Sequence, residues 1–368
     1  MCIFAQNIST KTTMRFEEEK TEAVNLLKEL IAIPSTSRDE TAAADHLQQV
    51  MEMRGLQVCR KGNNLWTMAP APEDNKPTLL INAHIDTVKP VAGWQTDPFC
   101  PTEKDGRIYG LGSNDDGASL VSLLAVFGLL CQHNQPYNLV FAASAEEEVS
   151  GKNGMESLLL DLPPISLALV GEPTGMQMAT AEKGLMVIDA TAIGKSGHAA
   201  RNEGINAIYK AIDDINWIRN NELPLKTDLL GPVKMTVTMV EAGTQHNVIP
   251  DRCKFVIDVR SNECYTNQEI HKILQENLSS QLEPRSFRLS SSRIDTDNPM
   301  VQKALSMGIG TFGSPTLSDQ ALMHDFQSAK MGPGQSSRSH TANEYIEVDE
   351  IYQAIDTYYD LLDQLKID

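Results

Sequence analysis

A short apolar run in the first third of the chain ends abruptly in two side chains that commonly bind metal ions. The run is Leu79–Ala83, and it is followed by His84 and, two residues later, by Asp86. A nearly continuous apolar run is typical of a strand buried in a parallel sheet, and ligands bind where such strands end. The pattern therefore predicts a metal ion beside His84, with Asp86 placed to orient the imidazole ring.

Further acidic and imidazole residues follow along the chain. Apolar runs at residues 139–144 and 167–170 each lead into glutamates, Glu146–Glu148 and Glu172. A pair of divalent ions that share one bridging carboxylate needs about five protein ligands. The sequence supplies this number and predicts a metal-dependent hydrolase with the ligands His84, Asp115, Glu148, Glu172 and His340.

Length and composition restrict the class of protein. A chain of 368 residues exceeds the usual size of one hydrophobic core, so we expect two domains. The formal net charge of −18 opposes binding to nucleic acid or to an anionic membrane, and no stretch has the roughly 20 apolar residues of a membrane span. The six cysteines lie far apart, as expected of reduced thiols in a cytoplasmic enzyme. Residues 1–13 lack a signal-peptide pattern, and Met14 is an alternative start.

Apolar strands alternate with helices in the first half of the chain. We predict strands at residues 79–83, 139–144 and 167–170, and helices at residues 17–32, 37–54 and 118–131. Ser37 is the expected N-cap of the second helix. This alternation predicts an α/β catalytic domain with a mostly parallel sheet that is covered by helices.

Residues 181–290 have a different pattern. Strands are predicted at residues 185–193, 233–240, 253–259 and 286–289, and helices at residues 205–218 and 267–278. The resulting order, β-α-β-β-α-β, is that of a ferredoxin-like α+β unit. We therefore predict a small domain, residues 181–290, inserted in a catalytic domain that residues 1–180 and 291–368 form.

Six segments together resemble the M20 family of co-catalytic metallopeptidases and deacylases. The resemblance is to its branch of acetylornithine deacetylase and succinyl-diaminopimelate desuccinylase. The segments occur in the order of that family and are Asn82–Val88, Gly110–Gly117, Ala145–Gly151, Gly171–Thr174, Gly197–Ala200 and His340–Glu344. This resemblance implies a hydrolase of linear amides that uses two divalent ions. Zinc is the expected metal, with cobalt and manganese as alternatives.

The resemblance implies a role for each matched residue of the metal site. Asp115 is similar to the carboxylate that bridges both ions. His84 and Glu172 resemble the remaining ligands of the first ion. Glu148 and His340 resemble those of the second ion.

Other matched residues are implied to assist the reaction. Glu147 resembles the general base, which takes a proton from the attacking water and returns it to the leaving amine. Asp86 resembles the acid that fixes the ring of His84. Asp115 is expected to form a cis peptide bond with Asp116, as in the family.

The inserted domain resembles the lid and dimerisation domain of the family. This implies a homodimer that forms through residues 181–290. His198 is similar to an imidazole that reaches the partner subunit's site and donates a hydrogen bond to the developing oxyanion. Asn247 and Arg260 resemble residues that hold the carboxylate of the substrate, a group that a bidentate arginine suits.

Two segments depart from the family pattern or admit a second alignment. Many relatives have Asp-Met-Lys-Gly where this chain has Asp115-Asp116-Gly117, which is one residue shorter and lacks the lysine. The run Glu146–Glu148 can shift by one position. Our preferred alignment makes Glu147 the base, whereas the shifted alignment assigns that role to Glu146.

The resemblance favours removal of an N-acetyl or N-succinyl group from ornithine or citrulline, in arginine biosynthesis. The substrate is then a small N-acyl amino acid. A succinyl group needs an additional cation, for which the candidates are Lys183, Lys195, Arg201 and Arg338. One alternative is a dipeptidase or aminopeptidase of the same family that acts on short peptides. A second is a binding protein that has kept the fold and lost the chemistry, which the retention of all ligand positions opposes.

Overall fold

The structure is a computed structural model that describes residues 2–201 and 203–367, with side chains from residue 14 onward. The question of a start at Met14 concerns residues 1–13, whose side chains lie outside the described residues. The chain divides into two compact units. Unit 1 contains residues 1–180, 294–312 and 318–368, and unit 2 contains residues 181–293 and 313–317. Our predicted boundaries, 180/181 and 290/291, place the short segment 313–317 in the catalytic domain, whereas the structure groups it with unit 2. That the two units are separate domains remains a prediction.

The helices of the described residues lie mainly in unit 1. In chain order the α-helices are α1 (Cys2–Ile31), α2 (Thr41–Met53), α3 (Ala118–Leu130), α4 (Met155–Leu158), α5 (Ala207–Asn220), α6 (Asn267–Asn277), α7 (Pro299–Ser306) and α8 (Val348–Leu362). Short 3₁₀ turns occur at Glu147–Val149, Asp319–Leu322 and Ser336–Arg338, and an irregular turn with non-helical backbone at Asp115 and Asp116 occurs at Ser113–Gly117.

The strands of the described residues belong to four sheets. In chain order they are β1 (Val58–Lys61), β2 (Asn64–Met68), β3 (Thr78–His84), β4 (Thr102–Lys104), β5 (Arg107–Tyr109), β6 (Asn138–Ser144), β7 (Leu167–Val170), β8 (Met178–Glu182), β9 (Met186–Ile193), β10 (Gly197–His198), β11 (Lys234–Ala242), β12 (Val248–Ile249), β13 (Arg252–Arg260), β14 (Gln281–Pro284), β15 (Ser292–Arg293), β16 (Thr311–Ser314), β17 (Gln327–Lys330) and β18 (Tyr345–Glu347).

The central sheet of unit 1 has the strand order β1-β2-β6-β3-β7-β17-β8. The four middle strands, β6, β3, β7 and β17, are parallel to one another, and antiparallel pairs flank them. Every residue of β3 and of β7 is buried, which explains why both strands are apolar along most of their length. The predicted α/β class with a mostly parallel sheet is confirmed.

Helices cover this sheet in layers, since α3 contacts β3 and β6 while α1 and α8 pack on α3. Helix α3 packs against α1, α8 and β3, so all of its residues except Gly128 are buried. The last helix, α8, is amphipathic and buries Ile351, Ile355, Tyr358 and Leu362 on one side. The predicted helix at residues 17–32 is the end of α1, which begins much earlier.

Unit 2 contains a four-stranded antiparallel sheet with the order β11-β13-β9-β14. Helix α5 packs on β9, β11 and β13, and α6 packs beside β14. The element order agrees with the predicted β-α-β-β-α-β unit. Strands β10 and β12 form a separate two-stranded ribbon in which His198 pairs with Val248.

Two local predictions were wrong. Helix α2 begins at Thr41 after Glu40 as N-cap, because Arg38 adopts a left-handed conformation and turns the chain before the helix starts. Ser37 therefore caps no helix. The predicted strand at residues 286–289 is also wrong, because the last strand of unit 2's sheet in chain order is β14, a few residues earlier. Exposed polar residues alternate with partly buried ones in β14, as is typical of an edge strand, so its sequence shows no clear apolar run.

Among the described helices, none combines the length and the apolar character that crossing a bilayer requires.

The enclosed position of α3 gives a prediction about stability. Replacing Leu124, which is 1% exposed, by Ala removes buried apolar contacts and is expected to lower the free energy of unfolding by about 2–5 kcal/mol. The same substitution at Leu160, which is 80% exposed, should change it by less than about 0.5 kcal/mol. Urea unfolding followed by circular dichroism measures both values. Equal effects of the two substitutions would contradict the packing described for α3.

Candidate metal centre

Three neighbouring parallel strands bring ligand residues to one edge of the central sheet. Strand β3 ends at His84, and the loops after β6 and β7 carry Glu147 and Glu172. Because β6, β3 and β7 are adjacent and parallel, their carboxyl ends lie side by side. The predicted convergence of these loops is therefore present in the fold.

The turn Ser113–Gly117 brings Asp115 to the same edge. Gly112 precedes this turn with a φ of +75°, and a Cβ atom there would lie 2.6 Å from the methyl group of Thr87. A glycine is required at this position because both the conformation and the space exclude a side chain. The peptide bond between Asp115 and Asp116 is cis, which confirms that expectation.

The carboxylate of Asp115 lies between two imidazoles. Its Oδ1 atom is 3.2 Å from Nε2 of His84, and its Oδ2 atom is 3.6 Å from Nε2 of His340. The same nitrogen of His340 is 2.9 Å from Oε2 of Glu148. Each oxygen of one carboxylate thus faces a different imidazole, which is the arrangement expected of a carboxylate shared by two ions.

Two groups of potential ligands have donor atoms that lie within 4.8 Å of one another. One group is His84, Asp115 and Glu148, and the other is His84, Glu147 and Glu172. Imidazole nitrogen and carboxylate oxygen are the donors that zinc and similar divalent ions take in catalytic sites. The donor set therefore fits a pair of such ions, and the site lies wholly within unit 1.

Burial and crowding shift the acidities of this site. Burial raises the pKa of Glu147 well above its usual value, His84 opposes the shift, and Glu172 adds to it. Burial also raises the pKa of Glu172 well above the usual carboxyl value. Burial lowers the pKa of His84, but hydrogen bonds to Asp115 and Asp86 outweigh this and raise it. Carboxylates crowded in this way are stabilised by a bound cation.

Asp86 supports the site mainly through the loop that carries the glutamates. Nδ1 of His84 lies 2.9 Å from the main-chain oxygen of Asp86 and 3.5 Å from its carboxylate. The carboxylate accepts hydrogen bonds from the backbone N–H groups of Glu147 and Glu148, at 3.0 and 3.2 Å. The hydroxyl of Ser37 donates a further one at 2.7 Å. Asp86 thus holds the ring by its backbone and the glutamate turn by its side chain.

Glu146 faces a different set of partners from its two neighbours. It has a φ of +56°, and its Oε1 atom accepts a hydrogen bond from Nδ2 of Asn153 at 2.9 Å. Its Oε2 atom lies 3.9 Å from Nε of Arg38, and its backbone N–H donates to Glu40. A side chain at Gly151 would overlap the carboxylate of Glu146, so the glycine leaves room for it.

A buried acid that the sequence analysis missed lies beneath the metal centre. Asp319 is 5% exposed, and its Oδ2 atom accepts hydrogen bonds from Asn82 at 3.1 Å and from Ser144 at 2.5 Å. These two residues precede His84 and Glu147 on adjacent strands. Burial raises the pKa of Asp319 to about 6, against the hydrogen bond from Ser144. The sequence did contain one indication of such an acid: Asn82 is an amide within a buried strand, and a buried amide requires a hydrogen-bond partner.

The remaining predicted site residues belong to unit 2. His198 and Asn247 lie together, since β10 pairs with β12 and the N–H of Ala199 donates to the carbonyl of Asn247 at 3.0 Å. Both side chains are exposed. Arg260 ends β13 and forms two hydrogen bonds with Asp258, at 2.8 and 3.2 Å. Their roles toward a substrate remain predictions.

Comparisons with known proteins agree with this description. A succinyl-diaminopimelate desuccinylase of a Nitratiruptor species is 28% identical over 268 residues, which is 69% of this chain and 72% of that protein. The fold is shared with aminopeptidase PepT of Bacillus cereus ATCC 10987, at 20% identity and a TM-score of 0.75, with 94% of this chain and 98% of that one covered.

A second structural neighbour is the YXEP protein of Bacillus subtilis, described as a dinuclear metal-binding peptidase of the M20 family. It has 17% identity and a TM-score of 0.70, with 94% of this chain and 98% of that one covered. The family model that matches this sequence is peptidase family M20/M25/M40, and the match extends over residues 80–364. The chain therefore belongs to peptidase family M20/M25/M40, and it is a metal-dependent hydrolase that acts on amide bonds.

Proposed function

We propose that this enzyme removes an N-acetyl or N-succinyl group from ornithine or citrulline, as a step of arginine biosynthesis. The observation that carries the hydrolytic part is the position of Asp115 between His84 and His340, with the glutamates of two parallel strand ends beside it. The acyl substrate is supported by curated relatives that are named succinyl-diaminopimelate desuccinylase.

The ligand assignment follows the family resemblance, and the contacts of His84 and His340 with Asp115 and of His340 with Glu148 support it. His84, Asp115 and Glu172 hold the first ion, and Asp115, Glu148 and His340 hold the second. Two divalent ions, zinc in our proposal, would supply electrophilic activation of the amide carbonyl and would lower the pKa of a water molecule.

Glu147 carries the proton in this proposal. It takes the proton of the attacking water and delivers it to the nitrogen of the leaving amine, so that one side chain serves both half-reactions. Its half-buried position beside His84 and its raised pKa support this role. The contacts of Glu146 with Asn153 and Arg38 support the alignment in which Glu147, and not Glu146, is the base.

This assignment predicts different effects for two neighbouring glutamates. Glu147→Gln should lower kcat by about 10²–10⁴-fold, because the amide cannot take the proton of the attacking water. Bound metal, measured by elemental analysis, should stay at the wild-type level. Glu146→Gln is the matched control and should retain most of the activity, because the amide oxygen can still accept the hydrogen bond from Asn153. Loss of turnover in the control alone would assign the base to Glu146.

A succinyl group adds a carboxylate to the substrate, and the four candidate cations differ in their contacts. Arg338 is engaged, since its guanidinium lies 2.6 Å from Glu350 and stacks on Tyr345. Lys183 donates to the carbonyl of Pro232 at 2.6 Å. The side chain of Arg201 is 68% exposed, with a distant contact of 3.9 Å to Glu203.

Arg201 is therefore our preferred partner of an acidic acyl group. It closes a turn with His198, to whose carbonyl its N–H donates at 2.9 Å. Lys195 is also exposed, but the planar guanidinium suits a carboxylate better than an ammonium group does. A peptidase is the second candidate function, which the structural likeness to aminopeptidase PepT and a tripeptidase of Staphylococcus aureus favours.

A substrate panel tests the acyl specificity and the role of Arg201 together. We expect N-acetyl- or N-succinyl-ornithine or -citrulline to exceed tripeptides and succinyl-diaminopimelate in kcat/KM by at least about tenfold. Arg201→Ala should lower kcat/KM for the succinyl substrate by about tenfold or more, since a hydrogen bond to a charged group contributes about 1.5–3 kcal/mol. The acetyl substrate should be unaffected by this substitution.

Arg219→Ala is the control, because Arg219 is an exposed arginine at the end of α5 in the same unit. This substitution should change kcat/KM for neither acyl substrate. Preference for a tripeptide would replace the deacylase proposal by the peptidase, and an equal loss on both acyl substrates would remove Arg201 from the acyl pocket.

We also propose a homodimer that forms through residues 181–290. Asn247 and His198 lie near the start of β13, whereas Arg260 is at its end, about 26 Å away along the strand. Within one copy of unit 2, the three residues therefore lie too far apart to contact one small substrate together. Two copies, one supplying Arg260 and the other the ribbon with His198, resolve this separation.

Exposed apolar residues supply a surface for such a dimer. Tyr209 and Ile212 on α5 and Met239 and Val240 on the edge strand β11 are 44–68% exposed. Exposed apolar patches of this kind mark interaction sites.

The five described cysteines are free, which agrees with a reducing compartment such as the cytoplasm, our predicted location.

A mixing experiment tests whether two chains share one active site. His198→Ala and Glu147→Gln should each be nearly inactive alone. Mixing them under exchange conditions should restore about a quarter of the wild-type activity, because half of the dimers of a twofold assembly contain one intact site. As a separate control, mixing two wild-type samples that carry different affinity tags and measuring the mixed dimers gives the exchange rate. An inactive mixture despite exchange would place His198 and Glu147 in the same chain's site.

A further inference from the structure

The two segments that carry Asp115 and His340 are joined by side chains that bind no metal in our assignment. One segment is the turn around Asp115, and the other begins at Gly334 and extends to Glu344. The hydrogen bonds between them run in both directions. Each segment contributes one side chain that bonds to the backbone of the other.

Glu344 makes the first set of these bonds. It is 2% exposed, and its Oε1 atom accepts hydrogen bonds from the N–H groups of Asn114 and Asp115, both at 2.9 Å. Its Oε2 atom accepts a third from the N–H of Gly112 at 3.2 Å. The main-chain oxygen of Glu344 also accepts from the N–H of Gly110 at 3.1 Å. One residue therefore fixes the backbone at several points of the turn and of the segment that leads into it.

Asn114 makes the reciprocal set. Its Nδ2 atom donates to the carbonyl of Gln335 and to the hydroxyl of Ser339, both at 3.1 Å. Its Oδ1 atom accepts from the N–H of Gln335 at 2.9 Å. A Cβ atom at Gly334 would lie 2.2 Å from this oxygen, so the glycine is needed for the close approach. Ser339 directly precedes His340, so the bond to its hydroxyl holds the chain next to the second imidazole.

We propose that Glu344 and Asn114 form a loop clamp that sets the separation of Asp115 from His340. Both are positioning residues, since they act through the ligands and do not contact the reacting atoms. This inference rests on the proposed function, in which Asp115 and His340 hold the second ion. The clamp makes its bonds to the segments of these two ligands, whereas His84 is held by β3.

The clamp predicts a selective loss of one metal position. Glu344→Ala removes the acceptor of three buried N–H groups and frees Asp115 to move relative to His340. The affinity for the second equivalent of metal should fall by about 10–100-fold, the usual effect of losing a residue that orients a metal ligand. The first equivalent should lose clearly less, because it shares Asp115 with the second ion but keeps His84 and Glu172, whose segments the clamp does not bond. Titration of the metal-free protein with Co²⁺, followed by its visible absorption, resolves the two steps.

Glu344→Gln tests the geometry of the clamp more finely. The amide oxygen can still accept from Asn114 and Asp115, so this variant should bind the second equivalent with an affinity between those of the wild type and Glu344→Ala. Asn114→Ala is the independent variant, and it should give the same selective loss through the other half of the clamp. It also carries the test if Glu344→Ala does not fold.

Asp214→Asn is the matched control. Asp214 is a buried acid of unit 2 that accepts hydrogen bonds from the N–H groups of Ser279 and Ser280, both at 2.9 Å. This variant should lose stability and bind both equivalents as the wild type does. Unchanged metal affinities in Glu344→Ala and Asn114→Ala, or an equal loss at both positions, would overturn the clamp. A wild-type protein that binds no Co²⁺ would instead refute the proposed metal site.

Discussion

The carboxylate of Asp115 has an imidazole on each side, and the arrangement of the other proposed metal ligands depends on this placement. Because its two oxygens face different nitrogens, the side chain cannot rotate without losing one contact. His84 is held rigidly at the end of a buried strand. His340 comes from a loop near the end of the chain and has a φ of +59°. Asp115 therefore connects a rigid ligand with one that only the tertiary fold can place.

Acids that bind no metal in our assignment form a second layer around this site. Asp86 accepts from the turn of Glu147, Asp319 from the ends of two strands, and Glu344 from the turn of Asp115. Burying a carboxylate is unfavourable unless hydrogen bonds compensate, and backbone and side-chain donors provide them here. The same bonds restrict the loops that carry the ligands. The hydrogen bonds that compensate for burying these acids therefore also hold the ligand loops in place.

Membership of peptidase family M20/M25/M40 fixes the class of chemistry, whereas the choice of substrate depends on unit 2 in our proposal. The metal site lies entirely in unit 1, but His198, Asn247 and Arg260 belong to unit 2. The length of β13 separates Arg260 from the other two. In our proposal, a substrate that contacts all three residues is therefore held by two copies of unit 2, which links acyl specificity to assembly.

The sequence alone determined the fold class and indicated the strand-end residues of the candidate metal site, because buried parallel strands need continuous apolar runs and these runs end at such residues; the ligand roles of Asp115 and His340 came from the family resemblance. It also led to the cis bond after Asp115, through the family resemblance. Tertiary structure decided what the side chains of Glu146 and Ser37 contact, since adjacent residues of a turn point in different directions. It also revealed Asp319 and the reciprocal bonds of Asn114 and Glu344. Such contacts join segments far apart in the chain, and no local periodicity records them.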